Sequence, residues 1–312
     1  VLFFLLATLI YVPPIQRAVV RYACEKTSEA TGFDVNIETI GLSFPLDLDV
    51  RHVLVRDSLG DSLCCVRRCL VDLNLSNVFD GQIGIDALEL SDGFVNSKQL
   101  IEGLSVRGRI GSFLVKATSG IDINRNFVSV DDISLNDCDI YTFIGESSED
   151  TTSSSPLPWT VSVRRVRINN VHALVNMGDS MRIETKLHHS SIDSIAANLL
   201  TNDYSVANSA LNVDYILLDS LSIPGFDFSA NSLQYNPQNM GVRLARLSAS
   251  QSWIEASARA DSALAFDAQL EANIANADLD SICRYYAPDL RQYFKSSDLA
   301  LHVKANGDRE FI

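Results

Sequence analysis

The chain has 312 residues, of which 46% are hydrophobic, 21% charged and 8% aromatic. This composition is typical of a folded protein and excludes an intrinsically disordered one. The formal net charge of −14 argues against a nucleic-acid partner, because phosphate backbones are bound by basic surfaces. The length allows two ordinary domains or one elongated domain.

Residues 1–14 begin with the uncharged run VLFFLLATLIYV, which predicts a truncated transmembrane signal-anchor. A helix of this length spans about 18 Å, whereas the hydrocarbon core of a bilayer is about 30 Å thick. We therefore expect the chain to be a fragment of a longer protein. A buried core helix and a signal peptide are alternatives, but Tyr11 and Pro13-Pro14 at the boundary favour a retained anchor. The predicted anchor residues are Leu2, Phe3, Phe4, Leu5, Leu6, Leu9 and Ile10.

Residues 15–32 have the spacing of an amphipathic helix. Apolar residues such as Ile15, Val19 and Tyr22 recur on one helical face, and Gly32 is a suitable C-terminal stop. We expect this helix to cap the end of a sheet, with a position on the membrane surface as the alternative.

Residues 33–312 change to the period-two alternation of β-strands. One pattern recurs with apolar residues at positions p, p+2, p+5 and p+7. The jump of three reverses side-chain parity, so a bulge or bend is expected there to keep the apolar residues on one face. The copies are Leu48-Val50-Val53-Val55, Ile83-Ile85-Leu88-Leu90, Val128-Val130-Ile133-Leu135, Val161-Val163-Val166-Ile168 and Val242-Leu244-Leu247-Ala249.

This repetition predicts an elongated, mainly β protein built on a repetitive sheet with few short helices. A short helix is expected between Leu279 and Leu290, near Pro288. The polar stretch near 146–158 predicts a flexible loop inserted in the sheet.

No motif of an enzyme is present: GxGxxG, Walker A, GxSxG and HExxH are all missing from the sequence. The six cysteines form no CxxC pair, and His188 and His189 are adjacent, so on a strand they face opposite ways. The pair Asp131-Asp132 could be interpreted as the two catalytic carboxylates of a glycosidase. Acidic residues occur throughout the polar strand positions, however, so this pair is not distinctive. We predict no enzymatic activity, no cofactor and no metal.

The apolar strand face has too few amphipathic helices to cover it, which indicates an interaction surface. We predict a curled groove for apolar ligands, with ordinary core residues under a second sheet as the alternative. The predicted groove-lining residues are Ile83, Ile85, Val128, Val130, Val161, Val163, Val242 and Leu244.

Several segments resemble one known family. They are YVPPIQ at 11–16, TGFDV at 31–35, FPLDL at 44–48, DSLGDSL at 57–63, LNL at 73–75, FDGQI at 79–83, and ADL at 277–279 with APDL at 287–290. Together they resemble the N-terminal region of TamB proteins, within the wider AsmA-like superfamily.

The resemblance implies an inner-membrane protein with one membrane span, with its bulk in the periplasm as a taco-shaped β groove. It further implies transfer of phospholipids towards the outer membrane and partnership with an Omp85-type outer-membrane barrel, TamA. The alternative function is assistance in inserting outer-membrane β-barrel proteins. A surface β-solenoid adhesin is a third class, although an adhesin should not retain an inner-membrane anchor.

Overall fold

The computed structural model describes residues 32–43, 47–74, 84–97, 103–117, 121–122, 126–145, 159–178, 181–219, 221–261, 265–286 and 297–307, with Asp289 and isolated positions between 14 and 29. The predicted anchor, the residue Ile83 and the predicted loop near 146–158 lie outside these residues. Among the residues that the structure describes, no helix is both long enough and apolar enough to cross a membrane.

Eighteen strands lie in the described parts of the chain, and all of them belong to one sheet. They are β1 (Asp34–Ser43), β2 (Asp47–Arg56), β3 (Ser62–Asn74), β4 (Gly84–Asn96), β5 (Leu104–Lys116), β6 (Ile121–Asp122), β7 (Phe127–Val130), β8 (Asp132–Ile144), β9 (Thr160–Met177), β10 (Met181–Leu187), β11 (Ser190–Asn198), β12 (Asp203–Leu218), β13 (Leu221–Ala230), β14 (Ser232–Asn236), β15 (Asn239–Ala249), β16 (Ser252–Asp261), β17 (Phe266–Ile274) and β18 (Leu299–Gly307).

Most strands pair antiparallel with their neighbours in sequence. β1 to β5 follow one another, β5 pairs with β8, and β8 lies parallel to β9. Each half of β9 then pairs with β10 or β11, and the sheet continues through β12, β13 with β14, and β15 to β18. The prediction of a mainly β chain with one large sheet and few helices is confirmed.

One of the predicted jumps of three, from Val50 to Val53, falls on a row of unpaired residues that crosses seven strands. Ile37 pairs with Val53 and Thr39 with Arg51, so Glu38 and His52 between them are left out of the ladder. The same omission recurs on β3, β4, β5, β8 and β9. We call this the kink row; it comprises Glu38, His52, Arg67, Asp92, Gly111, Asp137 and Asn170.

Four members of the kink row have left-handed backbone: His52, Asp92, Asp137 and Asn170 have φ between 51° and 53°. Asp and Asn are among the non-glycine residues that enter this region most readily. Side-chain pairs link its members, since His52 contacts Glu38 at 2.8 Å, Arg67 contacts Asp92 at 3.0 Å, and the Asn170 amide donates to Asp137 at 2.6 Å. The kink returns the apolar residues of each strand to the same face on both sides of the row.

A second, shorter row of omissions involves β9, β11 and β12, where Arg164, Ser194 and Ala207 are unpaired. Ser194 has φ 53°. β9 therefore carries two jumps of three, at Val163 to Val166 and at Ile168 to Val171. The pairing on either side of both jumps keeps its apolar residues in register with those of β11 and β10.

One complete helix is described, α1 (Asn276–Tyr286), and it ends before Pro288, as expected because a proline disfavours helix in the residue before it. The buried side chains of Ala275 and Leu279 fix its start against the sheet. The Ser252 hydroxyl accepts from the Ala275 amide at 2.9 Å and contacts the Asp278 carboxylate.

The described positions between 14 and 29 have helical backbone. Ser28 lies beside the edge strand β1, since its hydroxyl accepts from the Val35 amide at 3.1 Å. Burial raises the pKa of the Cys24 thiol, which also hydrogen-bonds the backbone of Ile37. The role of the whole segment 15–32 as a cap remains a prediction.

Candidate functional site

The apolar residues of successive strands are cross-strand partners, which places them on one face of the sheet. Val163 pairs with Ile195, Ile195 with Val206, Val206 with Leu233, and Leu233 with Val242. The row then continues through Ala258 and Ala268 to Ala305. We call the side of the sheet that carries these residues the apolar face.

Five of the eight predicted lining residues lie together on the apolar face. Val128 pairs with Val161, Val130 pairs with Val163, and Val242 belongs to the same row as Val163. Their burial differs, since Val163 is only 7% exposed and the other four are half-buried.

The remaining predicted residues are placed differently. Ile85 pairs with Leu73 across a local register shift and is 53% exposed. Leu244 has no partner in the ladder, because Val242 pairs with Ala258 and Ala245 with Ala256, and its φ is 47°. The structure therefore does not bring Leu244 into the apolar rows; the apolar positions of β15 are Met240, Val242, Ala245 and Leu247.

The apolar face forms an open concavity of about 500 Å³ where β11, β12 and β14 to β17 meet. Its volume lies in the range of small-molecule sites in proteins. Aromatic and aliphatic side chains surround it, and the rings of Tyr204 and Tyr235 stack with centroids 6.1 Å apart. Its apolar-face lining consists of Ile195, Ala197, Tyr204, Val206, Leu233, Tyr235, Met240, Val242, Ala258, Ala260, Phe266 and Ala268.

The apolar face is most exposed towards β18. Tyr235 is 49% exposed, Met240 53% and Leu301 45%, and Leu247, Ile254, Phe266 and Val303 are also exposed. The alternative prediction is that these residues form a core beneath a second sheet. No second sheet lies in the described parts of the chain. Large apolar side chains that remain open to solvent in adjacent rows mark an interaction surface.

Three cysteines also belong to the apolar face, which the sequence pattern did not indicate. Cys64 pairs with Val55 and Val95, Cys69 with Val50 and Leu90, and Cys138 with Ile110 and Val171. Burial raises the pKa of each of these thiols, so they act as small apolar side chains. The signal that could have found Cys64 and Cys69 is the spacing of Cys64, Val66, Cys69 and Val71, which repeats p, p+2, p+5 and p+7.

The opposite face carries ion pairs between neighbouring strands. The pKa of Asp49 is held below its ordinary value by hydrogen bonds from two arginines, of which Arg51 has the larger effect and Arg68 the smaller. Arg182 and then His172 likewise lower the pKa of Glu184. We call this side the polar face.

The histidine pair and the acidic pair singled out in the sequence lie among the ion pairs of the polar face. His188 contacts the Asp214 carboxylate at 2.8 Å, and its ring lies 6.3 Å from that of His189. Arg164 contacts Asp131, and Arg167 contacts Asp132, so both members of the acidic pair have cationic partners. Among the described residues, no three histidine, cysteine or acidic side chains form a cluster that could hold a metal ion.

No model of a known protein family matches this chain, and a search of curated proteins gives no match either. Function is therefore inferred from the two faces of the sheet and from the sequence segments that resemble a known family.

Proposed function

We propose that the chain is a lipid-transfer conduit, which holds phospholipid acyl chains along its apolar face and lets them move from strand to strand. The observation that carries this proposal is the unbroken pairing of apolar residues from β9 to β18, along which lies an open concavity of about 500 Å³. The curled, taco-like shape expected from the sequence belongs to the same proposal.

The mechanism requires no bond to be made or broken. Each acyl chain gains roughly 25 cal/mol for every Å² of apolar surface that it removes from water. Valine, isoleucine, leucine and alanine recur in every row, so the gain is similar from one row to the next and gives no deep trap. Lipids can then slide, while their headgroups remain in water at the open side of the groove.

The location follows from the resemblance to TamB proteins. Residues 1–14 would anchor the chain in the inner membrane as one span, with the sheet in the periplasm between the two membranes. An Omp85-type barrel of the outer membrane, TamA-like, would be the receiving partner.

The test is native mass spectrometry of the purified chain, followed by lipid extraction. Ala268 lies in the concavity, whereas the exposed Asn208, which pairs with Asp193, projects from the polar face. We expect phospholipid to co-purify with the wild type and with Asn208→Trp, but to be lost or strongly reduced in Ala268→Trp. The indole would fill the cavity without adding charge, and Val163 is avoided because it is buried.

Circular dichroism would confirm that both tryptophan variants are folded. A folded wild type free of lipid, or equal lipid in the two variants, would contradict the conduit.

A second candidate is assistance to outer-membrane β-barrel proteins, and one observation favours it. The outer edge of β18 has no strand partner among the described residues. An open edge can accept an extended polypeptide as an added strand. Crosslinking from Lys304 to an unfolded barrel protein, in a preparation without lipid, would support this function over the conduit.

A further inference from the structure

The polar face has a second concavity, of about 570 Å³, behind the strands that form the apolar one. Two adjacent rows of side chains line it. The first runs from Ser232 through Arg243 and Ser257 to Gln269, and the second runs from Gln234 through Gly241 and Arg259 to Asp267. Gly241 has no side chain between Gln234 and Arg259, and this gap deepens the depression.

The two arginines of this concavity have no ion-pair partner among the described residues. Acidic side chains outnumber basic ones on this chain, 39 to 25. Elsewhere on the sheet, Arg51, Arg165 and Arg167 each contact a carboxylate. Asp267 also lines the concavity, yet it forms no ion pair with either arginine. Their charges remain available to an external anion.

A bulge sets the position of Arg243. Between Val242 and Ala245, the two residues Arg243 and Leu244 lie opposite the single residue Ser257. The Leu244 amide donates to the Ser257 hydroxyl at 2.9 Å, and Leu244 has φ 47°. A leucine in left-handed backbone is strained, and such strain is concentrated at functional sites.

The register places the two arginines within reach of one ligand. Arg259 lies opposite Gly241, two residues from Arg243 on the same face. Diagonal neighbours of this kind have Cα atoms about 7–8 Å apart, a separation that long side chains span easily. Amide and hydroxyl groups of Gln234, Gln269 and Ser232 surround them.

We infer that this concavity binds a phosphate group, held by the guanidinium groups of Arg243 and Arg259. Guanidinium donors match phosphate oxygens in bidentate geometry, and the surrounding amides suit a hydroxylated carrier. The carrier is either a free phosphate ester or the headgroup of a phospholipid. Because the site lies on the polar face, it does not depend on acyl chains binding to the apolar face.

The experiment is titration calorimetry of the full chain at low ionic strength, with sn-glycerol 3-phosphate as one probe and phosphatidylglycerol vesicles as the other. Arg243→Gln combined with Arg259→Gln should weaken binding at least tenfold. Gly241→Val should weaken it similarly while keeping both charges, because the valine side chain would fill the gap between Gln234 and Arg259. The backbone can accommodate valine, since a Cβ at this position meets only the Ala258 carbonyl oxygen, at 3.5 Å. Arg107→Gln is the control, because Arg107 also has no ion pair among the described residues and lies on β5, over the Phe94 ring.

Binding of glycerol phosphate that follows this pattern supports the site and identifies free phosphate esters as ligands. Binding of the vesicles alone, with the same pattern, supports a site for lipid headgroups. The inference is overturned if neither probe binds, or if folded arginine and Gly241 variants bind like the wild type.

Discussion

At the scale of single residues, the kink row depends on close backbone contacts. A Cβ on Gly111 would lie 2.8 Å from the Cβ and the carbonyl oxygen of Asp137 and 2.9 Å from the carbonyl oxygen of Asn136. Two of these three atoms belong to the backbone of β8, which cannot move away without disturbing its pairing. Gly111 is therefore required by space and not by its own φ.

We expect Gly111→Ala to lower the free energy of unfolding by about 1–3 kcal/mol, the usual cost of overpacking. The measurement is urea denaturation followed by circular dichroism. Gly41→Ala is the matched control, because a Cβ on Gly41 meets only the Asp49 carbonyl oxygen, at 3.9 Å. Equal losses in the two variants would show that the contact with β8 is not the cause.

Asn170 tests the left-handed backbone of the kink row. Both Asn170→Gly and Asn170→Val remove the hydrogen bond to Asp137, but only valine opposes the φ of 51°. The free energy of unfolding of Asn170→Val should therefore be lower than that of Asn170→Gly by about 1–3 kcal/mol. If the two variants unfold at the same urea concentration, the left-handed conformation of Asn170 does not contribute to stability.

Asp49 gives the polar face a dependence on pH. Arg51 and Arg68 lower the pKa of Asp49 in the folded chain. The contribution of Asp49 to the free energy of unfolding is therefore complete above the pKa of the unfolded chain, about 3.9, and is lost as the pH falls through the lower pKa of the folded chain. Between pH 7 and about pH 3, the wild type should lose more stability than Asp49→Asn. Parallel losses in the two proteins would show that Asp49 is not responsible.

Leu244 shows how a single residue can hide the register of a strand. In the sequence, the pattern p, p+2, p+5 and p+7 fits from Val242, whereas the pairing of β15 begins the same pattern at Met240. Leucine at 244 and alanine at 245 concealed the jump, because hydropathy marks the larger side chain as apolar-facing. Only the register of β16 reveals which of the two lies in the bulge.

At the scale of elements, the jump of three could be predicted from the sequence because bulky aliphatic residues mark it on β2, β7 with β8, and β9. The same spacing on β5 comprises Gly108, Ile110, Phe113 and Val115, and on β8 it recurs through Cys138. Glycine and cysteine at apolar positions weaken the pattern, so these copies were missed. The alignment of the jumps in two rows could not be predicted, because it depends on long-range pairing.

A hydroxyl from a neighbouring strand contacts the start of helix α1. Ser252, at the beginning of β16, accepts from the Ala275 amide and contacts Asp278. Ser252→Ala should lower the free energy of unfolding by about 0.5–2 kcal/mol, the cost of losing a helix cap. The change in unfolding is measured by urea titration, with the exposed Ser229→Ala as control. No difference between the two would show that other contacts hold the helix start, such as the hydrogen bond from the Asn276 amide to the Asp298 carboxylate at 2.9 Å.

At the scale of the whole molecule, alternation separates two chemistries on one sheet. The sequence could predict an apolar face, because alternating residues define it locally. The concavity on each face could not be predicted, since β11, β12 and β14 to β17 combine only through the register. The two arginines of the polar face were missed for the same reason, being 16 residues apart in the chain (259 − 243).

The position of Cys64, Cys65 and Cys69 on β3 allows occupancy of the apolar face to be followed far from the concavity. Cys64 and Cys69 lie on the apolar face, while Cys65 is exposed on the polar face, paired with Leu54 and Phe94. Burial raises the pKa of Cys64 and Cys69, so their alkylation should be slow and should accelerate at alkaline pH.

In variants that keep one cysteine each, phospholipid should slow the alkylation of Cys64 and Cys69 several-fold and leave Cys65 unchanged. Mass spectrometry of the alkylated protein at pH 8.5 gives the three rates. Slowing at all three positions would indicate general shielding, and slowing at none would confine the ligand to the concavity between β11 and β17. Protection at Cys64 and Cys69 alone is the result that a conduit requires, because a conduit must hold lipid along the strands that precede the concavity as well as within it.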